Sequence, residues 1–304
     1  MCLFRLSSFI HRAICLALLT FPLSSYANVM NSLGTAQGFS LLSLAGGVFQ
    51  SGSGSVQGTI GVAAPFSRYT GSGRINDPGG FDILTRSTFR SSAKGTRGPV
   101  NQNAQTDAFL LSAKAAASST STLASGLLPT ASYGILQNST TISETHEGQY
   151  VFDLSGINLR GGSKLTLSAP AGSTFVLNVG SLLRGGAFNL RSAQIILTGG
   201  LTAHDVLWNV LGSGSVNLAS STVNGIVLAL NRSVNVAGGV VNGELVGGSI
   251  SLSGGSVNNP PPVVPEANTF LVLIPFIGAI LLSASWRYLR TKGDKAVTAR
   301  PAAA

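Results

Sequence analysis

Residues 214–259 read GSVNLASSTVNGIVLALNRSVNVAGGVVNGELVGGSISLSGGSVNN, and this stretch decides the fold. Set in register, Ser215-Val216-Asn217-Leu218-Ala219 with Val223-Asn224-Gly225 returns 18 residues later as Ser233-Val234-Asn235-Val236-Ala237 with Val241-Asn242-Gly243. After 16 more it returns as Ser249-Ile250-Ser251-Leu252-Ser253 with Val257-Asn258-Asn259. Each copy holds two short strands of alternating apolar and polar residues, joined by a small-residue corner. Asn-Gly or Asn-Asn closes the copy, and these residues accept the positive φ of a tight turn.

A unit this short cannot bury its apolar side alone, so self-similarity at a fixed period reads as a β-solenoid. Stacking predicts one interior column of Val216, Val234 and Ile250 and another of Leu218, Val236 and Leu252. Asn224, Asn242 and Asn258 form a polar ladder whose amides bond from coil to coil. Asn217, Asn235 and Ser251 then point outward. A sandwich of short hairpins is the alternative that fits the same alternation. Upstream, Lys164 to Leu167, Ser173 to Val179, Phe188 to Leu190 and Ile195 to Leu197 alternate in the same way and read as wider coils. One helix interrupts them: an alanine-rich run over about 106–124, with Thr106 or Asp107 as N-cap, carries Phe109, Ala113, Ala116, Thr120 and Leu123 on one stripe. It is expected to lie along the solenoid. Residues 28 to 103 read as short strands followed by a loose loop from Tyr69 to Val100.

Composition agrees with such a fold and excludes others. Of 304 residues only 10% are charged, 44% are hydrophobic and 38 are glycine, which argues against both a disordered chain and an ordinary cytosolic enzyme. The net charge of +9 is mostly at the ends. Arg5 and Arg12 lie near the start, and Arg287, Arg290, Lys292, Lys295 and Arg300 near the finish. Residues 28–258 carry 12 basic and 8 acidic residues with no block of like charge, so a nucleic-acid partner is not expected.

The ends read as address labels. Residues 1–27 have a basic start, an apolar run from Ala13 to Phe21 and the small-x-small sequence Ser25-Tyr26-Ala27, the pattern of a secretory signal cut after Ala27. Both cysteines, Cys2 and Cys15, would leave with it, so the mature chain is expected to hold neither disulfide nor thiol. Residues 259–266 form a proline-rich linker. The uncharged run 267–286 has the length of a transmembrane helix, and the basic tail 287–304 is expected to stay cytoplasmic.

Val264-Pro265-Glu266, an apolar helix and the cluster opened by Arg287 and Arg290 resemble the PEP-CTERM sorting signal of Gram-negative bacteria. That resemblance implies recognition by an exosortase-type transpeptidase and a place in the cell envelope or its exopolysaccharide matrix. Two details depart from it: Ala267 stands where a second proline is usual, and the chain continues well past Arg290. Further motifs are Leu33-Gly34-Thr35-Ala36-Gln37-Gly38-Phe39-Ser40, Ala169 to Val179, and Asp205-Val206-Leu207-Trp208-Asn209-Val210. With the Val-Asn-Gly repeats they resemble the bacterial choice-of-anchor A domain, and their order is similar to ice-binding-like β-solenoid domains with a helix packed alongside.

Little here equips a catalyst. Glu144-Thr145-His146-Glu147 invites a metal reading, but two ligands on one strand face rarely make a site, and a solvated turn is expected. His204-Asp205 reads as a turn in which the carboxylate caps backbone N–H groups. No serine sits in a Gly-x-Ser-x-Gly elbow; Gly52-Ser53-Gly54 and Gly212-Ser213-Gly214 are corners. Between Gly214 and Asn259 only Arg232 and Glu244 are charged, which leaves no catalytic groove. No cofactor, metal or catalytic residue is therefore assigned. The expectation is a non-enzymatic, exported and membrane-anchored surface protein, structural or adhesive. The alternative is a solenoid whose flat face binds a ligand such as ice.

Overall fold

A computed structural model describes residues 29–76, 83–86, 89–91, 100–180 and 186–259 of the chain. These residues form a three-sided parallel β-solenoid. Sides I and II belong to one 15-stranded sheet, because long strands such as Gln149–Arg160, Ile226–Ala237 and Leu245–Ser253 run through the corner between them; side III is an eight-stranded sheet. Every pairing between named strands is parallel, as in Val216 with Val234 and Val234 with Ile250, which excludes the hairpin sandwich.

The predicted columns are present and longer than the repeat that announced them. Ile157, Phe188, Val216, Val234, Ile250, Val48 and Tyr69 pair in succession, and each is at most 2% exposed. Leu159, Leu190, Leu218, Val236 and Leu252 form the second column. Gln50 continues it as a buried amide, which accepts a hydrogen bond from the Tyr69 hydroxyl and donates to the carbonyls of Gly54 and Arg74, 3.1 Å each. A polar residue is tolerated inside because each of its hydrogen-bonding groups has a partner.

The order of coils in space differs from their order in sequence. Strand Phe39–Ser43 pairs with Leu245–Ser253 on one flank and Thr59–Val62 on the other, while Ser55–Gln57 pairs with Ser256–Asn258. The N-terminal coils thus stack on the last repeat coil and continue the solenoid beyond it. Residues 69–100, read above as a loose loop, carry the strands Tyr69–Gly71, Arg74–Asn76, Ile83–Thr85 and Phe89–Ser91, and Val100–Asn101 pairs with Ile83–Thr85. Strands of three residues are too short to show a period; they exist because a preceding coil offers them a row of N–H and C=O groups.

Helix α1, Ala104–Gly126, carries the chain back along side I to the end where Ala131–Leu136 begins the next coils. At about 1.5 Å per residue it is roughly 34 Å long, about seven coil spacings of about 4.8 Å. Its N-cap is Asn103, whose Oδ1 accepts from the Thr106 N–H at 2.8 Å, rather than Thr106 or Asp107. The buried stripe is Thr106, Leu110, Ala113, Ala117, Thr120, Ser121 and Ala124. Ala113 and Thr120 were predicted, but Phe109 and Leu123 are 42% and 53% exposed. Small residues win the contact because they let the helix approach the sheet closely. Phe109 instead rests its ring on Phe39 at the edge, 5.8 Å between centroids.

Beneath α1 lie two outward rows of side I: the apolar row Val151, Val176, Leu207 and Ile226, and Leu228, Val246 and Leu42 from the row that Asn178 and Asn209 begin, join the helix and the 3-10 turn Val29–Ala36 in one buried cluster. Among the described residues no helix is long and apolar enough to cross a membrane. The expected signal 1–27, span 267–286 and tail 287–304 lie outside the described residues, as does the linker 259–266 apart from Asn259.

Candidate functional site

Among the described residues nothing covers the other two sides, and their chemistry differs. Side III places Lys164, Gln194, Thr222, Val240, Ser256, Ser55 and Arg74 in one outward row. In the next row Asn242 Nδ2 donates to Asn224 Oδ1 at 2.9 Å, and Asn258 Nδ2 donates to Asn242 Oδ1 at 3.2 Å, so the expected ladder is formed. Thr141 and Thr166 pair in register at its far end. Charge appears only near the ends of the first row, leaving the middle neutral, regular and studded with small hydroxyl and methyl groups. An insertion at 199–205 stands beside it and makes a shallow notch with Ile196, Leu197, Thr222 and Asn224.

Side II carries the column Asn158, Asn189, Asn217, Asn235, Ser251, Phe49 and Thr70. Asn217 donates to Asn189 at 2.8 Å and Asn235 to Asn217 at 3.2 Å. Each bonded amide in either ladder keeps capacity facing solvent, because one ladder bond uses only one of two N–H groups.

Side I holds the same kind of ladder turned to another purpose. Asn178 Nδ2 donates to the Ala124 carbonyl at 2.9 Å and to Asp153 at 3.2 Å, while Asn209 Nδ2 donates to Asn178 Oδ1 at 2.8 Å. Ser121 Oγ donates to Asn209 Oδ1 at 2.7 Å. Here the amides bond carbonyls near the C-terminal end of α1, Ala124 and Ser121, and so tie that end of the helix to the sheet. The Asp205 to Val210 motif serves the core as well: Trp208 is fully buried, stacks edge-on against Phe188 and donates to the Asn224 carbonyl at 3.0 Å.

The charged residues of the repeat are both buried. Arg232 donates through Nε and Nη2 to the Leu211 carbonyl, and burial lowers its pKa. Glu244 sits at the corner between sides III and I, where its Oε1 accepts from the Gly38 N–H at 2.7 Å and Asn259 approaches at 3.5 Å. Its Oε2 has no hydrogen-bond partner among the described residues, and burial pushes the carboxyl up to about 7. Gly38 belongs to the N-terminal motif, so this bond ties the first coil to the last. The spacing of Glu244 and Gly38 in the chain gave no sign of it.

The remaining candidates fall where solvent is. His146 is exposed, with Nδ1 beside Thr145 Oγ1 at 3.0 Å. Asp205 Oδ2 accepts from the Thr202 N–H at 2.7 Å, the expected cap. No trio of metal-ligating side chains occurs among the described residues. Ala27, Val264, Pro265, Glu266, Arg287 and Arg290 lie outside the described residues.

A family model described as "Putative Ice-binding-like adhesive domain" matches residues 29–259. No curated protein matches the chain. Solved structures that share the fold include the ice-binding protein 1 domain of Shewanella frigidimarina, 22% identical over 75% of this chain and 96% of that one, TM-score 0.52. An ice-binding protein with antifreeze activity from an Arctic yeast is 19% identical, over 77% of this chain and 96% of that one, TM-score 0.51. A third, from an Antarctic bacterium of the Flavobacteriaceae, is 21% identical with TM-score 0.54; the match covers 77% of this chain and 48% of that protein. At these identities the likeness is one of fold. Membership of an adhesive, ice-binding-like family points away from catalysis, and over the whole solenoid the chain belongs to the ice-binding-like adhesive domain family.

Proposed function

We propose that the protein is a non-catalytic binding protein that adheres through side III to an extended, regularly repeating surface, with ice as the specific candidate. The observation that carries this reading is the outward face itself: parallel strands in register, a neutral middle of Thr222, Val240, Ser256 and Ser55, and no helix over it among the described residues. A rigid row repeating at about 4.8 Å pre-organises many weak contacts, so little ordering entropy is lost on binding a lattice. Threonine is sparse in the repeat, but Thr141 and Thr166 extend the array beyond it.

Ice-recrystallisation inhibition and partition into growing ice by the full chain test the reading. Val240→Arg, in the centre of the outward row, is expected to abolish both while leaving the unfolding temperature unchanged. Absence of either activity in the native chain would overturn it.

Display at the cell envelope completes the proposal. It rests on the signal ending at Ala27, on Val264-Pro265-Glu266 and on the span 267–286 followed by Arg287 and Arg290. Export would place the solenoid outside, with an exosortase-type enzyme as a processing partner, the membrane as anchor and the polysaccharide matrix as surroundings. The intact mass of the protein isolated from its native envelope tests this: loss of the residues after Glu266 marks processing, and a chain still beginning at Met1 contradicts export by cleavage.

A further inference from the structure

Side II carries a feature that side III lacks. Arg160 and Arg191 are paired in register on adjacent coils, both exposed, with no carboxylate on this side among the described residues. Like charges directly opposite on a sheet are destabilising, so a stacked arginine pair left unneutralised marks an anion site. Arg160 Nε is held by Asn158 Oδ1 at 3.3 Å, at the start of the Asn158-Asn189-Asn217-Asn235 column.

Followed along the stack, that column ends in an open groove lined by Gly47, Phe49, Phe66, Arg68, Thr70 and Ser251. Phe49 is 50% exposed and Phe66 98% exposed. Phe66 has φ 64, a conformation a bulky side chain adopts only when its surroundings hold it there. They do: Val48 N–H donates to the Arg68 carbonyl at 3.1 Å, and a Cβ at Gly47 would come within 2.4 Å of that same oxygen. Glycine at 47 therefore lets the 63–68 corner lean over the neighbouring coil and present the ring.

We propose that side II is a binding track for an acidic polysaccharide, a polyuronate-like chain. Arg160 and Arg191 would take its carboxylates at one end of the side. The asparagine column would meet its hydroxyls along roughly 14 Å, at about 4.8 Å per coil. Phe49 and Phe66, with Arg68, would clasp sugar faces at the diagonally opposite corner. The amides suit alternating donors and acceptors, and the absence of acids spares an anionic polymer repulsion. Single-stranded nucleic acid, also anionic, fits less well because its closely spaced phosphates call for a continuous basic groove, and here the arginines stand at the two ends.

Binding of the full chain in detergent to polyguluronate, to neutral dextran and to single-stranded DNA tests the proposal. Polyguluronate is expected to bind at least tenfold more tightly than either, with affinity falling as salt rises. The double variant Arg160→Gln/Arg191→Gln is expected to lose about tenfold for polyguluronate, and Phe66→Ala about threefold, with melting temperatures unchanged because all three side chains are exposed. Equal binding of dextran or DNA, or full affinity in the double variant, overturns the proposal. Full affinity in Phe66→Ala removes the aromatic corner from the site.

Discussion

Sides I and III are built from equivalent strands of the same coils, yet one is buried and the other open. Both have parallel ladders and apolar interiors; they differ in the row that points outward. On side I that row is Val151, Val176, Leu207 and Ile226, and α1 covers it. On side III it is Gln194, Thr222, Val240 and Ser256, and nothing among the described residues lies on it. The difference teaches that in a solenoid the inward pattern makes the fold, while the outward pattern decides which side becomes core and which remains free to bind.

The largest test of that contrast lies under the helix. Leu207→Ala is expected to cost about 2–5 kcal/mol in denaturant unfolding, since it removes a fully buried side chain between sheet and helix. Thr222→Ala on side III should change stability by less than about 0.5 kcal/mol, because the removed groups face solvent. If the two cost the same, the proposed division of labour fails.

Glu244 stands at the corner where the two sides meet, and it makes the contrast depend on pH. Its carboxyl is raised to about 7 in the fold from an ordinary 4.5. A raised acid favours folding when protonated, so its contribution is full below pH 4.5 and is lost as pH climbs through about 7. The loss amounts to about 3 kcal/mol at most. Glu244→Gln keeps an oxygen for the Gly38 N–H and removes the charge. Unfolding free energy measured from pH 4.5 to 8 should fall in the native chain relative to the variant; parallel curves would contradict the buried, half-partnered carboxyl. A smaller effect is expected on the ladder: Asn242→Ala, which interrupts bonds to Asn224 and Asn258, should cost about 1–2 kcal/mol by thermal unfolding.

How much of this was legible depended on period. The columns through Val216, Val234 and Ile250 and the Asn224, Asn242, Asn258 ladder could be read because three copies recur at nearly constant spacing. Strands as short as Arg74–Asn76 have no period of their own and were read as loop. The helix was legible in place but not in rotation, because a stripe drawn through the larger residues Phe109 and Leu123 ignores how closely alanine lets a helix approach. Of the candidate surfaces, outward Asn217, Asn235 and Ser251 were legible as alternating positions. The groove of Phe49, Phe66 and Arg68 was not, since it forms only where residues 47–51 stack on 249–253.

The sequence by itself determined the solenoid class, its interior columns, its amide ladder and its helix, because alternation and repetition act between residues a few positions or one coil apart. Only the tertiary structure decided that the N-terminal coils dock on the last repeat. It also decided that Gly38 meets Glu244 across 206 residues, and that the helix covers side I. Those outcomes depend on which unpaired coil edge and which apolar face remain to be buried once local strands exist, and that competition is settled by surface matching in three dimensions.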